Sequence, residues 1–187
     1  MKIGCVVMAA GAARRFGGGK LSVQVGGKSL LRRALEAVPA ERCAAVAVVS
    51  RSPAFLALVE SFGFLPVDND RPDLGVSRTI RLGLEALGPC GGAVFLVADQ
   101  PLLRRESVER ALDAFAEHPD KIVALAHGGR RGNPCVFPAD LFPELLELEG
   151  DTGGSAVIRR HGDRLLLLET PAEELADVDT PDQIPEI

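Results

Sequence analysis

Short, largely apolar runs separated by amphipathic stretches constrain this chain most. Ile3 to Met8, Ala44 to Val49, Phe64 to Val67, Ala93 to Ala98, Lys121 to Ala126, Cys135 to Phe137 and Leu165 to Leu168 each read as a strand. Short runs that are apolar at nearly every position suit strands buried on both faces, as parallel sheets require. Between them, Ser29 to Val38, Pro53 to Ser61, Ser77 to Leu87, Glu106 to Glu117, Asp140 to Leu148 and Ser155 to His161 carry helical periodicity. In Ser29 to Val38, for example, Leu30, Leu31, Ala34, Leu35 and Val38 share one face. Gly88-Pro89 closes the helix before it, since Gly caps a helix and Pro cannot continue one. Strands alternating with helices predict a three-layer α/β fold with a mostly parallel central sheet. Without repeats or linkers, residues 1–187 read as one domain, whose ligand is expected at the C-terminal ends of the strands.

Composition narrows the partners. Hydrophobic residues make up 47% and charged residues 25% of the chain, as in ordinary globular proteins, and no apolar run is long enough to span a bilayer. The 21 basic and 26 acidic residues give a net charge of −5, and Trp and Tyr are absent. An acidic chain with few stacking side chains is a poor nucleic-acid binder. The charge is uneven, however: residues 1–35 hold seven Lys and Arg and no acid, a setting for a small polyanion such as a nucleoside triphosphate. Cys5, Cys43, Cys90 and Cys135 lie at least 38 residues apart, unlike metal or redox motifs. Free thiols and a cytoplasmic location are the expectation.

The chemistry concentrates in the first loop, Ala9-Ala10-Gly11-Ala12-Ala13-Arg14-Arg15-Phe16-Gly17-Gly18-Gly19-Lys20. Following a buried strand, its glycines let backbone amides approach an anion while Arg and Lys answer the charge. It is not a P-loop, because Leu21 follows Lys20, and it lacks the spacing of the dinucleotide fingerprint. Composition alone leaves a plain surface loop as the alternative. Asp99, directly after a buried strand, suits Mg²⁺, which takes one or two carboxylates plus phosphate oxygens. The competing role is an acid serving the dipole of the helix that follows. Asp179 is a second ligand candidate, although Asp-Thr-Pro is also ordinary helix-entry chemistry. Asp151 reads as a capping or turn residue, and Arg130-Arg131 as a turn or a phosphate clamp.

Residues 8–20 resemble the signature Leu-Ala-Ala-Gly-x-x-x-Arg-x-Gly-x-x-Lys of the nucleotidyltransferases that activate sugars, alditols and cofactors. Gly11, Arg15, Gly17 and Lys20 fall on its fixed positions, with Met8 in place of Leu. Over nearly its whole length the chain is similar to the molybdenum cofactor cytidylyltransferases. Gly75-Val76-Ser77-Arg78-Thr79-Ile80, Asp99-Gln100-Pro101, Gly132-Asn133-Pro134, Gly150-Asp151-Thr152-Gly153 and Asp177-Val178-Asp179-Thr180-Pro181 match that group's elements. Thr79, Asn133 and Thr152 depart from its usual Ser, His and basic residue, and Ser155 stands where the turn often ends in Arg.

The resemblance implies a nucleotide-diphospho-sugar transferase fold and a Mg²⁺-dependent transfer of CMP from CTP to the phosphate of molybdenum-loaded molybdopterin, for a recipient molybdoenzyme. It implies catalytic Arg15, Lys20 and Asp99, with Asp99 and Asp179 on the metal. Nucleotide contacts are expected from Ala9, Ala10, Gly11, Arg15, Gly17, Lys20 and Gly75; Ser50, Asn69, Ser77 and Thr79 are further candidates for nucleoside contacts, with satisfaction of orphan amides at a helix start as the alternative for Ser77 and Thr79. The alternatives are GTP with the same acceptor, a sugar- or alditol-phosphate acceptor, and a non-catalytic cofactor carrier. Intact Arg15, Lys20 and Asp99 argue against the carrier, which has no use for a triphosphate clamp.

Overall fold

A computed structural model describes residues 2–11, 16 and 19–186; Arg15 and Gly17, two of the expected phosphate contacts, lie outside the described residues. The main sheet has seven strands: β1 (Ile3–Ala9), β4 (Val46–Ser50), β5 (Leu65–Asp68), β6 (Gly92–Val97), β7 (Ile122–His127), β8 (Arg130–Pro138) and β9 (Leu165–Glu169). Their order is β5-β4-β1-β6-β8-β7-β9. All run parallel except β8, which is antiparallel to both β6 and β7. The sheet is therefore mostly parallel, as expected.

The side-chain alternation of each strand divides the core in two. Cys5, Val7, Val48, Val94, Leu96, Val123 and Val136 point to one face. There they meet α1 (Leu30–Glu36), α2 (Leu56–Ser61) and α4 (Arg105–Glu117), which bury Leu31, Leu35, Val59, Val108, Leu112 and Phe115. Val6, Val49, Phe95, Ile122, Ala124, Cys135 and Phe137 point to the other. That face is covered by α3 (Val76–Leu87), α5 (Phe142–Leu146) and α6 (Ser155–Arg160) through Ile80, Leu84, Leu145, Val157 and Ile158. This is the three-layer architecture. Ser29 starts α1 by accepting from the Arg32 N–H, an ordinary N-cap.

Several elements differ from the sequence reading. Residues Gln24–Val25 (β2) and Lys28–Ser29 (β3) form a small hairpin that lacks the apolar run of a core strand. The turn read at Arg130-Arg131 is confined to the preceding Gly128-Gly129, both at positive φ. Arg130 and Arg131 already belong to β8, because a two-residue Gly-Gly turn feeds strand pairing at once. The helix expected over 53–61 opens as a 3-10 turn, Pro53–Phe55, before α2.

From β1 the chain builds β4 and β5 to one side and then crosses to place β6 on the other. The C-terminal ends of β1 and β6 thus flank the switch point, where open α/β sheets bind ligands. The C-terminal segment returns to this edge. The Glu174 carboxylate, 2% exposed, accepts from the Arg104 N–H at 3.0 Å. Gln100 donates to the Leu175 carbonyl and to Asp177, and the Val178 N–H to the Asp99 carbonyl. No helix among the described residues is long and apolar enough to cross a membrane, and all four cysteines are free.

Candidate active site

Lys20 is the centre of the site. It begins a 3-10 turn, Lys20–Ser22, that brings its side chain beneath the ends of β1 and β6, and the residue is only 7% exposed. A buried ammonium requires a counter-charge. Its Nζ lies 2.7 Å from Asp99 Oδ2 and 3.5 Å from Asp179 Oδ1. Asp99 directly follows the apolar strand β6, so the sheet delivers its carboxylate to the edge. It stands six residues before the first residue of α4 and is engaged with Lys20, so it is not that helix's cap. Asp179 arrives on the returning segment, where Gln183 Oε1 accepts from the Asp179 and Thr180 N–H groups and shapes the turn that begins at Pro181. The adjacent Asp177 carboxyl is pushed up by burial and by the Asp99 charge, with the Gln100 amide pulling the other way.

These groups floor a cavity of about 750 Å³, within the usual range for ligand sites. Of the residues expected to touch nucleotide, Ala9, Ala10, Gly11, Lys20, Gly75 and Thr79 line it, together with Asp99 and Asp179. Three others lie behind its wall. Asn69, 1% exposed, spends its amide on Thr79 Oγ1 and its oxygen on the Arg71 N–H and Arg78 Nε. Ser50 accepts from the Ser52 N–H. Ser77 is buried at the start of α3, where its N–H donates to the Gly150 carbonyl. None of the three is among the residues that line the cavity.

Arg51, Ser52 and Asp73 line the cavity without having been anticipated. Arg51 and Ser52 come immediately after β4, so the rule that ligands sit beyond strand ends points to them rather than to Ser50. Asp151 also lines the cavity, and α6 is capped by Gly154 instead.

Gly75 fixes how closely the two flanks meet. A Cβ there would fall 2.3 Å from the Gly150 carbonyl carbon and oxygen, at φ +86°. Only glycine fits.

Asp99 and Asp179 already share one cation, the Lys20 ammonium, and are hard oxygen donors of the kind Mg²⁺ or Mn²⁺ takes. Among the described residues no group of three or more His, Cys, Asp or Glu could hold a metal. A divalent ion here would therefore complete its shell with phosphate oxygens and water, which suits a nucleotide site.

A second, smaller cavity of about 170 Å³ lies beyond β6 and shares Met8, Val76 and Val97 with the first. Asn133, Ser155 and Arg131 reach it. Arg131 Nη2 donates to Ser155 Oγ at 2.7 Å, and Nη1 lies 3.6 Å from Cys135 Sγ.

Similarity to known proteins agrees with this geometry. The chain is 28% identical over 192 residues to the purine catabolism protein PucB of Bacillus subtilis, covering 95% of this chain and 92% of that one. Its fold matches a nucleotidyl transferase from Methanothermobacter with a TM-score of 0.81 at 22% identity, covering 97% and 93% of the two chains. It also matches Rv0371c of Mycobacterium tuberculosis, solved with manganese (TM-score 0.75, 22% identity, 97% and 95% covered). A third match is a CMP-2-keto-3-deoxy-manno-octonic acid synthetase complexed with CTP (0.73, 16%, 97% and 95%). These likenesses establish a nucleotide-diphospho-sugar transferase fold. Residues 5–165 match the MobA-like NTP transferase domain, a span that contains Lys20, Asp99 and both cavities' strand ends. The chain belongs to that family and is a nucleotidyltransferase.

Proposed function

We propose that the protein transfers CMP from CTP to the phosphate of molybdenum-loaded molybdopterin, releasing pyrophosphate, with Mg²⁺ as the divalent ion. The observation that carries this reading is the Lys20–Asp99–Asp179 set under the switch point, one cation between two carboxylates in a cavity of nucleotide size. Lys20 neutralises charge on the α-phosphate as the acceptor oxygen attacks in line, and Arg15 holds the β- and γ-phosphates. Asp99 and Asp179 would hold the divalent ion, which would supply positive charge to the triphosphate and the leaving pyrophosphate. The chain supplies no covalent nucleophile, because positioning and charge neutralisation suffice for this chemistry. Close packing of Gly75 on Gly150 keeps the wall beside Thr79 compact, which favours a pyrimidine over a purine. A CTP-bound synthetase among the matched folds agrees with this preference, and a reducing cytoplasm agrees with four free thiols.

The test is pyrophosphate release from Mg²⁺-CTP with molybdenum-loaded molybdopterin, alongside nucleotide-induced shifts in melting temperature. CTP should stabilise the protein more than GTP or ATP, since a ligand that binds only the native state raises its melting temperature. Asp99→Asn should keep its fold and most of its CTP affinity yet lose turnover. Equal turnover by parent and variant removes Asp99 from the metal. Equal stabilisation by GTP removes the case for cytidine. Tight molybdopterin binding with no turnover on any nucleotide favours a carrier.

A further inference from the structure

The second cavity is lined by none of Lys20, Asp99 and Asp179, yet its construction is specific. Ile80, Phe95, Phe137, Leu145 and Ile158 give it apolar walls, and Phe95 and Phe137 meet edge to face at 5.8 Å. One cation enters it. The Arg131 guanidinium is fixed by Ser155 Oγ and Cys135 Sγ, and among the described residues no carboxylate pairs with it. Two of its N–H groups are committed, and among the described residues the rest have no acceptor. A guanidinium held rigidly against apolar surface without a counter-charge favours a ligand that brings hydrogen-bond acceptors.

Size and position define that ligand further. About 170 Å³ is below the roughly 300 Å³ at which whole small-molecule sites begin, so the cavity takes one end of a molecule. Met8, Val76 and Val97 are common to both cavities, so the other end lies at the first cavity, near Lys20 and Asp99. Aromatic walls and an adaptable Met side chain suit a flat ring. Arginine suits such a ring doubly, since it donates in the plane of acceptor edges and stacks on aromatic faces.

We infer that this cavity seats the ring end of the acceptor, a flat, nitrogen-rich heteroaromatic system whose acceptor edge takes the remaining Arg131 N–H groups. The inference rests on the proposed transfer to a cofactor-like acceptor and assigns Arg131 as its specificity-determining residue. Ser155 stands where the resembling turn often ends in Arg. Here that position carries the hydroxyl that holds the Arg131 guanidinium of β8.

The test uses the whole protein and pterin itself as a fluorescent probe, with binding followed by quenching. The parent should bind pterin saturably. Arg131→Met should weaken binding about tenfold or more, the usual loss for hydrogen bonds from a charged donor. Ser155→Ala should weaken it several-fold by releasing the guanidinium. Ile158→Phe, which fills the cavity and leaves Arg131 in place, should abolish it. The CTP-induced melting shift should persist in Arg131→Met and Ser155→Ala and confirms that they fold. Absence of saturable binding to the parent, or unchanged affinity in Arg131→Met, overturns the inference. The CTP melting shift is read separately, so its absence in the parent counts against the proposed transfer instead.

Discussion

The two cavities are made in opposite ways. The first draws its charges from distant parts of the chain, Lys20 and Asp99 being 79 residues apart and Lys20 and Asp179 159 apart. The second is built largely within residues 131–158, from one antiparallel strand and two short helices, with α3 and β6 closing it. Topology assembles the first, by delivering strand ends and a returning segment to one edge. Local packing assembles the second. A charge change should therefore disable the first while leaving the fold intact, whereas the second should respond to volume and to the support of its helices.

The largest expected effect tests the first half of that contrast. Lys20→Ala should cut pyrophosphate release by about a hundredfold or more, because one preorganised charge on a transferring group is worth about 3 kcal/mol or above. Steady-state turnover at saturating CTP measures it. A variant with parental turnover would show that the ammonium between Asp99 and Asp179 has no part in the reaction.

Next comes the place where the two flanks touch. Gly75→Ala forces a methyl group into the Gly150 carbonyl at a positive φ. The clash and the backbone strain together should cost about 3 kcal/mol. Urea denaturation would show it, and CTP stabilisation should fall as well because Gly75 lines the first cavity. Parental stability would mean that the contact between the flanks yields easily.

The smallest effect concerns the helices behind the second cavity. Glu144 on α5 accepts from Arg160 Nε at 2.8 Å and lies 2.6 Å from His161 Nε2, just past α6. The bond to His161, followed by that to Arg160, holds the Glu144 carboxyl below its ordinary value of 4.5. A depressed carboxylate stabilises the fold above its unfolded pKa and ceases to do so as pH falls through its folded value. Glu144→Gln should thus cost about 0.5 kcal/mol at pH 7. The difference from parent should shrink in melting curves taken progressively below pH 4.5. A difference independent of pH would assign the effect to packing.

Much of this was legible in the sequence where local chemistry and final environment coincide. The apolar runs became β1, β4, β6 and β7 within a residue or two, because a strand buried on both faces has no other composition. Asp99 was legible for the same reason: an acid directly after such a run must emerge at the sheet edge. The small hairpin and the true start of β8 had a signal as well, in Gly26-Gly27 and Gly128-Gly129, all at positive φ. What could not be read was which way polar residues face. Ser50, Asn69 and Ser77 carry the same side chains whether they meet a ligand or hold a wall. Only the packing of β4, α3 and the Gly150 turn decides. The pairing of Lys20 with Asp99 and Asp179 was equally hidden, since no local pattern relates residues so far apart.

The anchoring of the returning segment by Glu174 and Gln100 has a consequence for the order in which the protein becomes competent. Closing contacts across so long a stretch of chain is entropically slow. During synthesis the first loop emerges well before β6 brings Asp99, 79 residues after Lys20. Asp179 follows later still and is delivered when Glu174 reaches the Arg104 N–H and Gln100 reaches Asp177. A partly made or partly folded chain can present Lys20 without its complete set of carboxylates. For the proposed transfer, nucleotide chemistry would in this way wait until the returning segment has docked.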